Sequence, residues 1–276
     1  AAAKLGRHLG ADIFISDSND LPDTIEKMRE FDNESGVHSN KILDSDLVII
    51  SPGIPESIPI IANCKCKNIP IVSEIEFASW FTTSPILALT GSNGKTTTVH
   101  LLHDMCISDG KNSFLGGNIG IPFSENVLWE MESKIINAVH VLELSSFQLE
   151  HIQSFSPKIA GLLNISEDHM DRYKDIHDYL NKKIKLTENM DDSGWVIYNG
   201  DDPKLVNAFH MHEHAKIFSM QDNQKSHFKL NASKIYSGSP NNPNILFQLD
   251  ETKLKGNHNL QNILAAATMA HAFGIP

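Results

Sequence analysis

A glycine-rich stretch, Thr90-Gly-Ser-Asn-Gly-Lys-Thr-Thr97, lies between a buried apolar run and a helical pattern. Glycines let the backbone turn and bring its N–H groups onto a phosphate, and the start of the following helix adds partial positive charge. Lys95 can reach the outer phosphates of a nucleotide, and the Thr96 hydroxyl can bind Mg²⁺. Two residues separate the glycines, where the common phosphate loop has four, so an ordinary strand-to-helix turn is the alternative. The residues expected to bind ATP here are Gly91, Asn93, Gly94, Lys95, Thr96 and Thr97.

Acidic residues follow two later strands of the pattern. Glu143 ends the run Ala138–Leu144, and His169 lies among carboxylates in Asn164–Tyr173, after the run Lys158–Asn164. In open α/β sheets, ligands bind outside the carboxyl ends of the strands. Glu143 is therefore a candidate ligand for a Mg²⁺ that also touches phosphate, and a helix-cap or turn carboxylate is the alternative. His169 is a candidate ligand for a second metal ion, although a lone histidine is usually structural.

Lys183 lies on the apolar face of a predicted helix over residues 175–190. The apolar face is formed by Ile176, Tyr179, Leu180, Thr187 and Met190, and Lys182 and Lys185 point away from it. An inward lysine has a lowered pKa or a partner, which makes it a candidate for chemistry. A lysine whose stem packs at the edge of the core is the alternative reading.

Short β-rich runs alternate with helical patterns along the chain, which predicts an α/β fold with a mostly parallel sheet. Strands are predicted near residues 12–16, 47–50, 69–72, 85–90, 113–115, 138–144, 158–164 and 195–198, and helices over 22–31, 58–67, 74–80, 95–108, 175–190 and 258–273. The stretch 216–255 is predicted to form β-hairpins and loops. The polar segment Thr82–Pro85 is the best boundary between domains of residues 1–83 and 84–276.

The composition excludes several classes of protein. The formal net charge of −11 makes a nucleic-acid partner unfavourable, because phosphate neutralisation needs a basic surface. Three cysteines cannot form a closed disulfide framework, which favours a reducing cytoplasm, and Cys64-Lys65-Cys66 lacks the second pair that a zinc site needs. No apolar run approaches the roughly 18 residues of a membrane span, and no signal peptide is visible.

Five motifs in one order resemble the Mur ligase family. They are Thr90-Gly-Ser-Asn-Gly-Lys-Thr-Thr-Thr98, Gly117-Asn-Ile-Gly120, Glu143-Leu-Ser-Ser-Phe-Gln-Leu149, Asn164-Ile-Ser-Glu-Asp-His-Met-Asp-Arg-Tyr173 and Gly256-Asn-His-Asn-Leu-Gln-Asn262. Within the family, the sequences around Glu143 and at Ser51-Pro-Gly-Ile54 resemble the ligases that add D-glutamate to UDP-N-acetylmuramoyl-L-alanine. The resemblance implies a partial Rossmann-like N-terminal domain that binds the UDP substrate, followed by the family's ATP-binding central domain.

The resemblance also implies a reaction. ATP would phosphorylate the substrate carboxylate to an acyl phosphate, and the D-glutamate amine would attack it to give an amide, ADP and phosphate. Such a step belongs to peptidoglycan synthesis in the cytoplasm, hence to cell-wall biogenesis, cell shape and cell division. Two Mg²⁺ ions are implied, since cations must hold a carboxylate beside a triphosphate. A monomer is expected.

The family's functional positions carry over to matching residues of this chain. The resemblance implies a catalytic role for Lys95, His169 and Lys183. It implies metal binding by Thr96, Glu143, His169 and Lys183, the last as a carbamate. It also implies contacts of Asn259 and Asn262 on the adenine side. The implied substrate-binding residues are Asp17 and Ser18 for uracil, Ser51, Pro52 and Gly53 for the UDP moiety, and Asn118 and Ser145 for the muramoyl substrate.

Family members also have a strand before the first helix of this chain and a C-terminal domain that contacts D-glutamate. Relative to them the first domain is expected to be incomplete and the amino-acid-binding domain absent, so the chain alone is not expected to complete the reaction. The alternatives are a non-catalytic nucleotide-binding fragment and another ligase of the Mur or folylpolyglutamate type. A kinase or GTPase is disfavoured by the short glycine spacing and by the lack of an Asn-Lys-x-Asp motif.

Overall fold

A computed structural model describes residues 1–221, 228–231, 234–237, 244–248 and 254–276. The α-helices are α1 (Ala2–His8), α2 (Pro22–Met28), α3 (Pro59–Cys66), α4 (Glu74–Ser79), α5 (Lys95–Ser108), α6 (Phe123–Ser133), α7 (Ser146–Leu149), α8 (Ile176–Ile184), α9 (Pro203–Phe209) and α10 (Asn257–Phe273). The strands are β1 (Phe14–Asp17), β2 (Asp32–Ser35), β3 (Val48–Ile50), β4 (Ile71–Ser73), β5 (Ile86–Thr90), β6 (Asn112–Gly117), β7 (Ala138–Glu143), β8 (Ile159–Leu162), β9 (Trp195–Asn199), β10 (Ala215–Ser219), β11 (Phe228–Asn231), β12 (Lys234–Ser237) and β13 (Asn244–Gln248). Short 3-10 helices span Asn40–Asp44 and Lys185–Thr187.

The large sheet has the strand order β13-β12-β11-β10-β9-β8-β5-β7-β6. Its strands run parallel from β6 through β11, and β12 and β13 are antiparallel to their neighbours. The α/β fold with a mostly parallel sheet is thus confirmed. Because β5 lies between β7 and β8, the loop after β5 stands at the same sheet edge as the segments that follow these two neighbours.

Both faces of the central strands are covered. Every residue of β5 and β7 is buried, as expected for a parallel sheet with helices on both sides. On one face, α5 and α10 pack against the sheet through an apolar cluster that includes Leu102 and Leu264. On the other face, α1, α4 and α6 contribute Leu5, Ile75 and Phe123 to a second cluster.

The first part of the chain forms two small parallel sheets, β1-β2 and β3-β4. Helix α4 follows β4 directly but packs on the large sheet, so the apolar core runs across the predicted boundary at Thr82–Pro85. The carboxylate of Glu76 in α4 accepts hydrogen bonds from the backbone N–H groups of residues 153–155 at 2.8–2.9 Å. The boundary itself stays a prediction.

The structure also contains elements that the sequence pattern did not predict: β2, α6, α7 and α9. The helix predicted over residues 175–190 ends at Ile184 and continues as the 3-10 turn Lys185–Thr187. Within the stretch 216–255, the antiparallel pairing of β11, β12 and β13 agrees with the predicted hairpins. The prediction is wrong for β10, which is parallel to both of its neighbours, β9 and β11, and so continues the parallel part of the sheet. Residues 222–227, 232–233, 238–243 and 249–253 of that prediction lie outside the described residues. None of the helices in the described ranges is long and apolar enough to cross a membrane.

Candidate nucleotide site

The glycine-rich loop joins β5 to α5, as predicted, and Gly94 is the residue before the helix, with φ +84°. A side chain at Gly94 would overlap the Asn262 amide at the start of α10. Helix α5 makes its first i to i−4 bond from the Thr98 N–H to the Gly94 carbonyl. The N–H groups of residues 95–97 therefore precede the helical ladder and form the positive end of the helix dipole, which is where a phosphate binds.

The loop is held from the neighbouring strand by residues 164–166. The Asn164 carbonyl accepts from the Ser92 N–H at 2.9 Å, and the Asn164 side chain exchanges two hydrogen bonds with the Asn93 backbone, at 2.8 and 3.0 Å. The Ser92 hydroxyl donates to the Ser166 carbonyl at 3.0 Å and accepts from the Ser166 N–H. Sequence reasoning gave Asn164 and Ser166 no role. Their position directly after β8, whose Leu162 pairs with Thr90, is the feature that could have indicated this role.

Two lysines converge on one carbonyl of the loop. Lys95 Nζ donates to the carbonyl oxygens of Gly91 and Ser92, both at 2.9 Å. Lys183 Nζ donates to the same Gly91 oxygen at 2.9 Å and lies 3.4 Å from Thr90 Oγ1. Because both Nζ atoms lie 2.9 Å from the Gly91 oxygen, they can be no more than twice that distance apart.

Lys183 is 1% exposed, which excludes a lysine whose charged end reaches solvent at the edge of the core. Helix α8 holds it there: Asp175 caps the helix by accepting from the N–H groups of His177 and Asp178, and the Tyr179 ring lies 4.5 Å from Nζ. Burial, and to a lesser extent the charge of Lys95, lower the pKa of Lys183 to about 7, against the opposing effect of Asp168 and Glu143. A large share of Lys183 is consequently uncharged and nucleophilic near neutral pH.

Burial and nearby carboxylates act in opposite directions on the pKa of Lys95. Burial lowers the pKa of Lys95, while the negative charges of Glu143 and Asp168 raise it. The pKa of Lys95 is lowered on balance. These four side chains thus form one electrostatic group at the carboxyl edge of the sheet.

Glu143 is only 2% exposed and lies beside the start of α5. Its Oε2 accepts from the Thr96 hydroxyl at 2.8 Å, and its Oε1 accepts from Asn118 Nδ2 at 3.1 Å. The Asn118 N–H also donates to the Glu143 carbonyl at 2.7 Å, so the segment after β6 is fixed to the end of β7. Both hydrogen-bond donors to the carboxylate are neutral, which leaves its negative charge available to a cation.

His169 lies at the edge of this group, next to Asp168. It has φ +56°, its side chain is 47% exposed, and its ring packs at 4.9 Å on Phe147. Its Nε2 is 3.6 Å from Asp168 Oδ2. Within the part of the chain that the structure describes, no hydrogen bond or ion pair joins His169 to Glu143 or Lys183, and no cluster of three or more histidine, cysteine or acidic residues has the arrangement of a metal site.

The other predicted site residues fall into three groups. Asn262 and Ser145 lie close to the loop or to β7: Asn262 stands against Gly94, and Ser145 caps α7 with the Gln148 side chain. Asp17 accepts hydrogen bonds from Asn19, and Asn259 donates to the Lys255 carbonyl. Ser18 is exposed, and Thr97 is half-buried in the first turn of α5. The turn of Ser51, Pro52 and Gly53 is exposed, and the Gly53 carbonyl accepts from Arg172.

The Cys64-Lys65-Cys66 segment holds one buried and one exposed thiol. Cys64 is buried and Cys66 exposed, and both are free.

Comparisons with known proteins identify the family. The sequence profile described as "Mur ligase middle domain" matches residues 89–270. The chain is 37% identical to the UDP-N-acetylmuramoylalanine--D-glutamate ligase of Christiangramia forsetii over 289 residues, which cover 99% of this chain and 62% of that protein. It is also 37% identical to the enzyme of the same name from Chloroherpeton thalassium, covering 100% of this chain and 63% of the relative. The chain thus spans about three-fifths of the length of the curated relatives it matches.

Solved structures agree on the fold. A murein peptide ligase from Psychrobacter arcticus has a TM-score of 0.63 at 19% identity, over 99% of this chain and 62% of that one. The corresponding ligase from Neisseria meningitides has a TM-score of 0.62 at 16% identity, over 99% of this chain and 90% of that one. With the profile match across most of the sequence, these findings show that the chain belongs to the Mur ligase family, whose middle domain it carries at residues 89–270.

Proposed function

We propose that this chain is the nucleotide-binding part of an ATP-dependent ligase that adds D-glutamate to UDP-N-acetylmuramoyl-L-alanine, with ADP and phosphate as the other products. The names of the two relatives at 37% identity support the substrates, and the site at the carboxyl edge of the large sheet supports the use of ATP. The place of action would be the cytoplasm, where the nucleotide-linked precursor and ATP meet.

One observation carries the proposal: Lys95 and Lys183 share the Gly91 carbonyl, beside a buried carboxylate paired with Thr96. Joining a carboxylate to an amine with ATP requires two anions, the carboxylate and the triphosphate, to be brought together. This arrangement supplies a cation for the phosphates in Lys95 and a buried anion for a metal in Glu143. A simple phosphate-binding turn would need neither Glu143 nor the buried Lys183.

The donor set fits Mg²⁺. Glu143 and the Thr96 hydroxyl are hard oxygen ligands 2.8 Å apart, and Mg²⁺ is usually held by one or two carboxylates together with phosphates and water. Bound there, Mg²⁺ would neutralise phosphate charge. Glu143 would hold the ion, Thr96 would orient it, and Lys95 would leave the loop carbonyls to bind the outer phosphates. A second ion, with His169 as a ligand, is part of the proposal.

Lys183 is proposed to act as a carbamate. Its uncharged amine would attack carbon dioxide, forming an N–C bond and releasing one proton, and so would exchange an ammonium for an anionic oxygen ligand. The lowered pKa of about 7 supplies the uncharged amine that this step needs. The carbamate would place a negative charge where the structure has two close lysines, and would thus relieve their repulsion.

The remaining roles follow the family resemblance. Asn118 and Ser145 would contact the muramoyl substrate, and Asn259 and Asn262 the adenine side. Asp17, Ser18, Ser51, Pro52 and Gly53 would contact the UDP moiety. A monomer is proposed, and size-exclusion chromatography with light scattering would measure it.

The test uses the whole enzyme that carries this sequence, with any residues that flank it. Purified enzyme is incubated with UDP-N-acetylmuramoyl-L-alanine, ATP, Mg²⁺ and one of several acceptors, and the products are identified by mass spectrometry. We expect amide product and ADP with D-glutamate, and none with L-lysine, meso-diaminopimelate or L-glutamate. Turnover with another acceptor in preference to D-glutamate would assign a different amide ligase, and ATP binding without product would assign a nucleotide-binding module.

A further inference from the structure

Arg172 joins the turn of Ser51–Gly53 to the segment that follows β8. Its Nη1 donates to the Gly53 carbonyl at 2.8 Å, and its Nη2 donates to Glu150 Oε2 at 2.7 Å. The side chain of Arg172 is 22% exposed and that of Glu150 is 10% exposed, so water screens this pair less than a surface ion pair. Gly53 and Arg172 lie far apart in sequence, so the contact ties the first part of the chain to the middle domain.

The guanidinium is fixed on its other sides as well. Its carbon lies 4.6 Å from the centroid of the Phe147 ring, and the second carboxylate oxygen of Glu150 accepts from the Tyr173 hydroxyl at 3.0 Å. Lys185 donates to the Glu150 carbonyl at 3.2 Å. Because both oxygens of Glu150 are engaged and the guanidinium is planar, the direction of the Nη1–H bond is fixed. The position of the Gly53 carbonyl is therefore fixed with it.

The same residues reach the turn that carries His169. The N–H groups of Arg172 and Tyr173 both donate to the His169 carbonyl, at 3.0 and 3.3 Å, and Phe147 packs on the His169 ring. A continuous set of contacts thus runs from Gly53 through Arg172 to His169.

We propose that Arg172 is a positioning residue, which holds the Ser51–Gly53 turn at a set distance from the nucleotide site and so places the UDP-linked substrate for reaction. The inference rests on the proposed function, in which this turn contacts the UDP moiety. Glu150 is the residue that orients Arg172. Lysine cannot replace arginine here, because an ammonium cannot span the Gly53 carbonyl and the Glu150 carboxylate with a rigid fork.

The experiment compares full-length wild-type enzyme with Arg172→Lys, Glu150→Gln and the control Arg29→Lys. Arg29 also forms an ion pair, with Glu26, but its side chain is 72% exposed and lies in the segment after α2. We expect Arg172→Lys to raise KM for the UDP-linked substrate by about tenfold, because one charge-assisted hydrogen bond is lost. The same variant should change KM for ATP by less than about twofold. Glu150→Gln should shift the same constant in the same direction, and Arg29→Lys should shift neither.

Hydrogen–deuterium exchange provides a readout that does not depend on activity. Peptides that span residues 51–58 should exchange faster in Arg172→Lys and Glu150→Gln than in wild type, while peptides of α5 and the control variant stay unchanged. Unchanged exchange in both variants would overturn the proposal, as would faster exchange with an unchanged KM for the UDP-linked substrate. If the wild type forms no product, the proposed function fails by itself, and the exchange measurement still decides whether Arg172 holds the turn. If Arg172→Lys does not fold, the KM and the hydrogen–deuterium exchange of Glu150→Gln decide the question.

Discussion

At the scale of single residues, the environment of Lys183 is the least expected feature of this site. A lysine that is 1% exposed needs a partner, and its nearest partners are a carbonyl, a hydroxyl and an aromatic ring rather than a carboxylate. A positively charged neighbour, Lys95, shares that carbonyl. Such a residue destabilises the fold when it is charged, so its presence is better explained by chemistry than by packing.

The first prediction removes the Lys183 amine. Lys183→Ala in the full-length enzyme should lower the ligation rate by about a hundredfold or more, since it deletes a proposed ligand. Partial recovery with added acetate or formate would support the carbamate. Lys182→Ala, on the neighbouring and less buried position, is the control and should stay near wild type. Near-normal activity of Lys183→Ala without added carboxylate would contradict the assignment.

The second prediction concerns pH and stability. Because the folded pKa of Lys183 is about 7 and its ordinary value is 10.5, the unfolded chain binds more protons than the folded one between these two values. The unfolding free energy of wild type relative to Lys183→Met should therefore rise with pH across this window, by up to about 1.4 kcal/mol per pH unit, and be flat below pH 7. Denaturant titrations in carbon-dioxide-free buffer measure this difference. A flat difference from pH 7 to 10 would show that the pKa of Lys183 is not lowered.

Residue types and spacing predicted much of this site, but not its connections. Helical periodicity predicted that Lys183 faces the core. The positions of Glu143 and Thr96 at strand and helix ends predicted that they share one edge of the sheet. The hydrogen bonds of Asn164 and Ser166 to the phosphate loop were not predictable, because they depend on β8 being the sheet neighbour of β5. Strand order is a property of the whole fold, and a single sequence does not state it.

At the scale of elements, helix α5 has a glycine at each end. Gly94, before its first residue, has φ +84°, and Gly110, two residues after its last, has φ +79°. A side chain at Gly94 would overlap Asn262, whereas a side chain at Gly110 would meet nothing within 4 Å. The two glycines thus share a backbone conformation and differ in their surroundings.

The third prediction uses this difference. Gly110→Ala should cost about 1 kcal/mol of unfolding free energy, the strain of a left-handed residue, and leave ADP binding intact. Gly94→Ala should cost more and weaken ADP binding by at least about tenfold, because either the loop or α10 must move. Denaturant titration and calorimetry measure the two effects. Adding Asn262→Ala should recover part of the stability lost in Gly94→Ala, and equal losses at Gly94 and Gly110 would argue against the contact.

Helices and strands were predictable from the sequence where the local pattern of apolar residues matches the face that is buried in the fold. The bounds predicted for α5 agree with the structure because a buried strand, glycines and a helical pattern follow one another there. Strand β2 consists of four polar residues, Asp32–Ser35, and forms through pairing with β1, which no alternation of apolar residues indicates. Helix α6 buries its apolar side against α1 and α4, which are distant in sequence. These elements depend on tertiary contacts.

At the scale of the whole molecule, the first part of the chain is attached to the middle domain by Glu76. This fully buried carboxylate accepts from the backbone of residues 153–155, from Ser154 Oγ and from Trp80 Nε1. Burial raises the pKa of Glu76, but the hydrogen bonds to the carboxylate outweigh it and hold the pKa below its ordinary value. The charged form of Glu76 therefore stabilises the packing of α4 on the large sheet.

The fourth prediction tests that attachment. Glu76→Gln should lower the unfolding free energy by about 2 to 3 kcal/mol at pH 7, because an amide cannot accept all of these hydrogen bonds. The stabilisation by Glu76 is present above pH 4.5 and should be lost as the pH falls through its lower folded pKa, so the two proteins should converge in acid. Glu26→Gln, an exposed residue, should change stability by less than about 0.5 kcal/mol. A difference that persists unchanged below pH 3 would mean that charge is not the cause.

The carbonyl of Gly91 holds Lys95 and Lys183 before any nucleotide arrives. Two long side chains have thereby lost their rotamer freedom on folding, a loss of up to about 2 kcal/mol each that binding would otherwise incur. ATP then meets a Lys95 that has only to exchange one oxygen acceptor for another. The entropy cost of ordering these two side chains is thus met during folding, and the loop's affinity for phosphate would be higher because binding does not incur that cost again.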